Sequence, residues 1–244
     1  MELPKKLTKD SIVETVCEIR FDSKDFPEVI LGKLLSVKEW EKYKRVRTAI
    51  ADIPAPIRSN DVRLKHQALM QLTSEDNLIA IKIGSSVIAY NNITSYKGWD
   101  TYFPEIKHCV EALFTNLEGV VINRIGLRYI NALNSKDHFI NSINDLNVGV
   151  QVASKNLSSE FNLNYSRSLS GAHNATVRIS TPEFVKGVPK DFSAVVDIDI
   201  FSKNTDSLQS QSDIEIWISE AHLFEKQEFF SLIPNQIVEK LKEK

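Results

Sequence analysis

The stretch Gly119–Leu133, GVVINRIGLRYINAL, limits what this chain can fold into more than any other part of it. With a period of two, Val121, Ile125, Leu127, Tyr129 and Leu133 fall on one side, and Asn123 and Asn131 share their parity. Arg124, Gly126 and Arg128 fall on the other side, with Ile122 and Ile130 at its ends. The apolar side of such a strand has to be covered by other elements. The two guanidiniums opposite need carboxylates or a bound anion, because an unanswered charge on a packed sheet is costly.

Two other segments carry carboxylates at matching parity. Ser11–Phe21 puts Val13, Thr15, Cys17, Ile19 and Phe21 on one face, with Glu14, Glu18 and Arg20 opposite. Phe192–Phe201 alternates Asp197 and Asp199 with Val196, Ile198 and Ile200. If these strands neighbour Gly119–Leu133, the carboxylates flank Arg124 and Arg128 in a cross-strand ladder, which is an architectural role. If they do not, the arginines form a working groove for an anion. A second function class uses the same side chains. Glu14, Glu18, Asp197 and Asp199 are the ligand types of a divalent metal in a hydrolase acting on nucleic acid or nucleotides. An Asp-x-Asp pair on a strand is a common chance pattern, so no catalytic residue and no metal ligand is assigned.

The remaining segments place these strands in a fold. Asp25–Phe26–Pro27–Glu28 predicts a helix start with Asp25 as N-cap, the helix running to about Val37. Lys38–Arg47, KEWEKYKRVR, reads as a basic amphipathic helix with Trp40 and Tyr43 on one side. Trp40, Arg45 and Arg47 are therefore candidate binding residues for a partner or a nucleic acid. Leu64–Thr73, Leu78–Ile83 and Ser86–Asn91 read as a meander with short breaks. Thr101–Leu117 carries Ile106, Cys109, Val110, Leu113 and Leu117 at helical spacing, with Gly119 as its stop. Asp137–Asn147 predicts a short helix, and Glu160–Leu169 with Ala175–Ser180 a hairpin. A long helix from about Leu208 to Leu232 is broken by Pro234 and followed by a short amphipathic one over 235–242. The five histidines show no paired-ligand spacing. His66 and His222 read as core histidines, and Cys17 and Cys109 as buried, reduced thiols.

Composition narrows the classes. A net charge of −2 gives no global attraction to nucleic acid or to anionic lipid. The opening MELPKKLTKD lacks the apolar core of a secretory signal, and no apolar run approaches membrane-spanning length, so a cytoplasmic location without membrane contact is expected.

Four segments together carry a resemblance: Ile12-Val13-Glu14 with Glu18-Ile19-Arg20-Phe21; Tyr96-Lys97-Gly98-Trp99-Asp100; Arg124-Ile125-Gly126-Leu127-Arg128-Tyr129-Ile130-Asn131; and Ala221-His222 with Phe229. The set is similar to a sporadically distributed prokaryotic family marked by an R-x-G-L-R-Y-x-N strand. The resemblance spans nearly the whole chain. It implies a unit of about this size, patchily distributed as horizontally transferred accessory or defence genes are, and it assigns no catalytic residues.

The sequence thus predicts an α+β fold, antiparallel sheet with helices packed on one face, as a single unit over 1–244 with candidate halves 1–133 and 134–244. The expected function is non-catalytic binding or accessory work without a cofactor. The expected partner is a protein, with nucleic acid through segment 38–47 as an alternative. A homodimer through an open sheet edge or the aromatic C-terminal helix is a further option.

Overall fold

A computed structural model of the chain describes residues 3–4, 7–93, 96–157, 161–185, 188–189 and 191–242. In chain order its elements are β1 (Ile12–Asp22), α1 (Pro27–Leu35), β2 (Lys44–Arg47), α2 (Ala55–Asn60), α3 (Val62–Lys65), β3 (Met70–Thr73), β4 (Ile79–Ile83) and β5 (Val87–Asn92). There follow α4 (Trp99–Asn116), β6 (Val121–Leu133), α5 (Ser135–His138), β7 (Gln151–Val152), β8 (Lys155–Asn156), β9 (Asn162–Ser168), β10 (His173–Ser180), β11 (Ala194–Ser202), α6 (Gln211–Leu232) and α7 (Asn235–Leu241). Nine strands form one antiparallel sheet in the order β2-β3-β4-β5-β1-β6-β11-β10-β9, and β7 and β8 make a separate ribbon. The strand that carries Arg124 and Arg128 is β6. It lies at the centre, between β1 and β11.

Alternation fixes which face is covered. Cys17, Ile19 and Phe21 of β1, Ile125, Leu127 and Tyr129 of β6, and Val196, Ile198 and Ile200 of β11 are all buried. They pack in one core with Ile106, Val110 and Leu113 of α4 and Ile214, Trp217 and Ile218 of α6. Each fully buried large side chain contributes about 1.5–3 kcal/mol of transfer free energy, so the helical face carries most of the stability. Cys17 and Cys109 lie in that core and are unbridged. Among the described residues, no helix is long and apolar enough to cross a membrane.

Several local expectations are corrected. The basic stretch 38–47 is not a helix: Lys38–Trp40 is one 3-10 turn and Lys44–Arg47 is edge strand β2, paired with Met70–Thr73. Its helical spacing loses to tertiary context, because Trp40 is drawn into the core at 3% exposure while Lys44–Arg47 pairs as a strand. Asp25 does not cap α1. Its carboxylate accepts from Lys33 Nζ at 2.7 Å and from the Glu118 amide at 2.9 Å, and Phe26 holds the cap position. Leu64–Thr73 divides into the end of α3 and strand β3, which takes His66 off the strand; its Nδ1 lies 3.1 Å from Ser86 Oγ. A register shift between Arg20 and Phe21 also reverses the start of β6, burying Ile122 and leaving Val121 exposed. The short helix expected over Asp137–Asn147 does not form as one element: α5 ends at His138, capped by Asn134, and a 3-10 turn with a Ser142 capping box follows over Ile143–Asp145. Residues 158–160, where the predicted hairpin began, lie outside the described residues.

Candidate functional site

The uncovered face of the sheet answers the arginines of β6. Register places Arg124 beside Arg20 of β1 and Arg128 beside Asp199 of β11. Arg128 forks onto Asp197 with two bonds of 2.7 Å, Nε to Oδ1 and Nη2 to Oδ2. Arg124 donates to Asp199 at 2.9 Å and to Glu18 at 3.3 Å, and Arg20 donates to the same Glu18 oxygen at 2.8 Å. Arg178 of β10 stands 3.8 Å from Asp197. Glu14 pairs instead with the Asn91 amide, at 3.3 Å. Gly126 leaves room here: a Cβ at this position would stand 2.7 Å from Arg124 Nη1, so its absence lets the guanidinium lie over the backbone and reach both carboxylates without shifting. The Arg124 head also sits 5.2 Å from the Phe201 ring centroid. Burial raises the pKa of Asp199, with Arg124 and Arg128 pulling the other way.

Glu14 apart, these residues form a ladder in which each acid already holds a base. Asp197 spends both oxygens on guanidiniums, and Asp199 and Glu18 spend one each. Among the described residues, no group of three or more His, Cys, Asp or Glu side chains is placed to hold a metal ion. Trp40, Arg45 and Arg47 are not brought to this face as a set. Trp40 is buried, Arg45 donates to the Leu35 carbonyl at the end of α1, and Arg47 pairs with Asp52 and the Ala51 carbonyl.

A different site forms on the covered side, where Pro4, Leu7, Asp10, Ser11 and Ile12 meet residues of β6 and α6. A cavity of about 110 Å³ is lined there by Ser11, Tyr96, Trp99, Tyr129, Asn131, His222, Glu225, Lys226 and Phe230, among others. One water needs only about 10–15 Å³ on such a measure, so the space admits a small organic molecule. Four of the segments that carried the family resemblance meet in it, through Tyr96 and Trp99, Tyr129 and Asn131, His222, and Ile12 at the start of β1. Local structure explains the meeting. Gly98, at φ +90°, makes the turn into α4 that swings Trp99 onto the wall. A register shift between Ile12 and Glu14 sets Ile12 opposite Asn131, beside Ser11.

No family model matches the chain, and no curated protein matches it.

The walls are an aromatic relay with polar groups at its inner end. Trp99 stacks on His222 with ring centroids 3.9 Å apart and on Phe103 at 4.8 Å. The Tyr129 hydroxyl lies 3.3 Å from His222 Nδ1 and 3.3 Å from the Tyr96 hydroxyl, so the three share a hydrogen-bonded chain. Burial, helped by Lys226, drives His222 down to about 4, and the ring is neutral at pH 7. Burial pushes Glu225 up to about 8, with Lys226 opposing and Asp10 adding to the shift. Asn131, 2% exposed, accepts from Ser11 Oγ at 2.8 Å through its Oδ1, while its buried Nδ2 has no partner among the described residues.

Sequence reasoning placed the arginine ladder and missed the cavity. The signals were present but small. Asn131 shares parity with the apolar side of β6, and Glu225 falls on the buried stripe of α6, four residues after Ala221. Glu228, on the same stripe, is ion-paired with Arg167 of β9. Glu225 has no hydrogen bond among the described residues and is the anomaly of the pair.

Proposed function

We propose that this chain is a non-catalytic binding protein, in an accessory role to a protein partner, and that its working site is the cavity between the N-terminal segment, β6 and α6. The observation that carries this is the buried, unpartnered Nδ2 of Asn131 in the wall of a cavity with aromatic sides. A buried donor without an acceptor costs about 1–3 kcal/mol, a penalty that an entering ligand removes. Cavities with mostly apolar walls and a few convergent polar groups are the usual form of small-molecule sites. Holding a ligand suits the groups present better than transforming one, since the His222 imidazole is stacked on Trp99 and bonded to Tyr129. The accessory role draws on the resemblance to a patchily distributed prokaryotic family. The hydrolase alternative loses ground because three of its four carboxylates are engaged by arginines.

Trp99 supplies the test. A small-molecule library screened by tryptophan fluorescence should yield compounds with saturable quenching, absent in Trp99→Phe and weakened at least tenfold in Asn131→Leu. Each compound should be recovered chemically unchanged. If no compound saturates, or if the quenching survives Trp99→Phe, the cavity is not the site.

A further inference from the structure

Three residues that line the cavity carry hydrogen-bond donors with no acceptor among the described residues. The first is Asn131 Nδ2, buried and unpartnered. The second is Lys226, half-buried, whose ammonium has no carboxylate within 4 Å and no hydrogen bond among the described residues. The third is Glu225, 5% exposed, whose carboxyl group carries its proton at neutral pH and so donates as well as accepts. The other titratable groups facing Glu225 are committed elsewhere. Asp10, from the N-terminal segment, accepts from the Ile12 amide at 3.0 Å. Tyr96, Tyr129 and His222 are bonded to one another. The rest of the lining is apolar or aromatic: Leu7, Ile12, Trp99, Phe229 and Phe230.

Resting on the reading of this cavity as the working site, we infer that its ligand is a small monocarboxylate with an apolar body, the carboxylate accepting from Asn131, Glu225 and Lys226 and the body lying against Trp99 and Phe230. The charge balance favours this over an amine. An ammonium ligand would meet a neutral acid and a standing positive charge at Lys226, with the free Asn131 donor still unanswered. A carboxylate satisfies all three donors, and its bond to a protonated carboxyl is of the short, charge-assisted kind. A phosphate brings more charge than one lysine offsets, into walls that are mostly apolar. Because the bound form requires protonated Glu225, affinity should fall as pH rises through the titration of that group.

The experiment compares one ring with three head groups, benzoate, benzamide and benzylamine, with hexanoate as an aliphatic acid, titrated calorimetrically into the full chain at pH 6.5 and pH 9. Benzoate or hexanoate should bind tightest at pH 6.5 and about tenfold more weakly at pH 9. Glu225→Gln, whose amide keeps a donor at that place, should retain binding and lose the pH dependence. Lys226→Met should lose at least tenfold for the acids and leave benzamide unaffected, with the melting temperature checked to show that the variant folds. Tighter binding of benzylamine, or acid binding indifferent to Lys226→Met, would overturn the inference. If neither acid binds while other compounds still quench Trp99 in an Asn131-dependent way, the carboxylate assignment fails and the cavity reading survives. If no compound of any kind depends on Asn131, both fail.

Discussion

At the scale of single residues, the two faces of β6 make opposite uses of polarity. On the open face Arg128 is half-exposed and Asp197 is 8% exposed, joined by a two-bond fork. Exposed pairs are worth about 0–1 kcal/mol, and stripping one partner from a buried pair costs about 3–5 kcal/mol. This pair lies between. Arg128→Ala should therefore destabilise the fold by about 2–3 kcal/mol, Arg178 at 3.8 Å from Asp197 offsetting a part of the loss. Arg128→Lys should recover less than half of it, since an ammonium cannot fork. Urea denaturation of the three proteins measures both values, and a loss under about 0.5 kcal/mol for the alanine variant would remove the ladder from the architecture. On the covered face Asn131 does the reverse, leaving a donor unpaired where packing alone would place an aliphatic side chain.

At the scale of elements, α6 sets how stability follows pH. The folded chain holds Glu225 at about 8 against an ordinary 4.5, so it keeps a proton that the unfolded chain gives up across that interval. Stability then falls as pH rises from about 4.5 to about 8. His222, lowered from 6.5 to about 4, acts with the opposite sign, and stability rises with pH over that range. The two effects oppose each other up to pH 6.5, above which Glu225 acts without the histidine. Between pH 6.5 and 8 the loss approaches about 2 kcal/mol, at about 1.4 kcal/mol per pH unit for one proton. Glu225→Gln should flatten the profile in that window; parallel profiles for wild type and variant would mean that the folded chain does not hold this proton. Elements with a sustained period, α4, α6, β1, β6 and β11, could be read directly, and the ladder followed from the parity of the three strands among them. Four-residue elements such as β2 and α3 could not, since their local signal is weaker than the tertiary contacts that decide them. The cavity escaped for another reason. Its polar members, Ser11, Asn131 and Glu225, come from three distant segments, and nothing in periodicity alone marks a polar residue on an apolar stripe as unpaired.

At the scale of the whole molecule, the sheet reads alike outward from the β1–β6 seam. From β1 the order is β5, β4, β3, β2, and from β6 it is β11, β10, β9; on each side a meander returns beside its first strand and a long helix follows, α4 or α6. This groups β6 with the strands that come after it. Ten residue pairs join β1 to β6, and α4 also touches α6, so neither side has a complete core or a protected inner edge without the other. The cavity sits on this seam, with Ser11, Tyr96 and Trp99 from one side and Tyr129, Asn131, His222 and Glu225 from the other. Fragments 1–118 and 119–244 made separately should each lack cooperative thermal unfolding. Mixed at equimolar ratio, they should regain a single transition, together with the fluorescence of Trp99 stacked on His222. A cooperative transition in fragment 119–244 alone would make that side an independent domain. The ligand would then bind across a contact between two bodies, and its affinity would depend on how firmly they are docked rather than on a cavity built into one core.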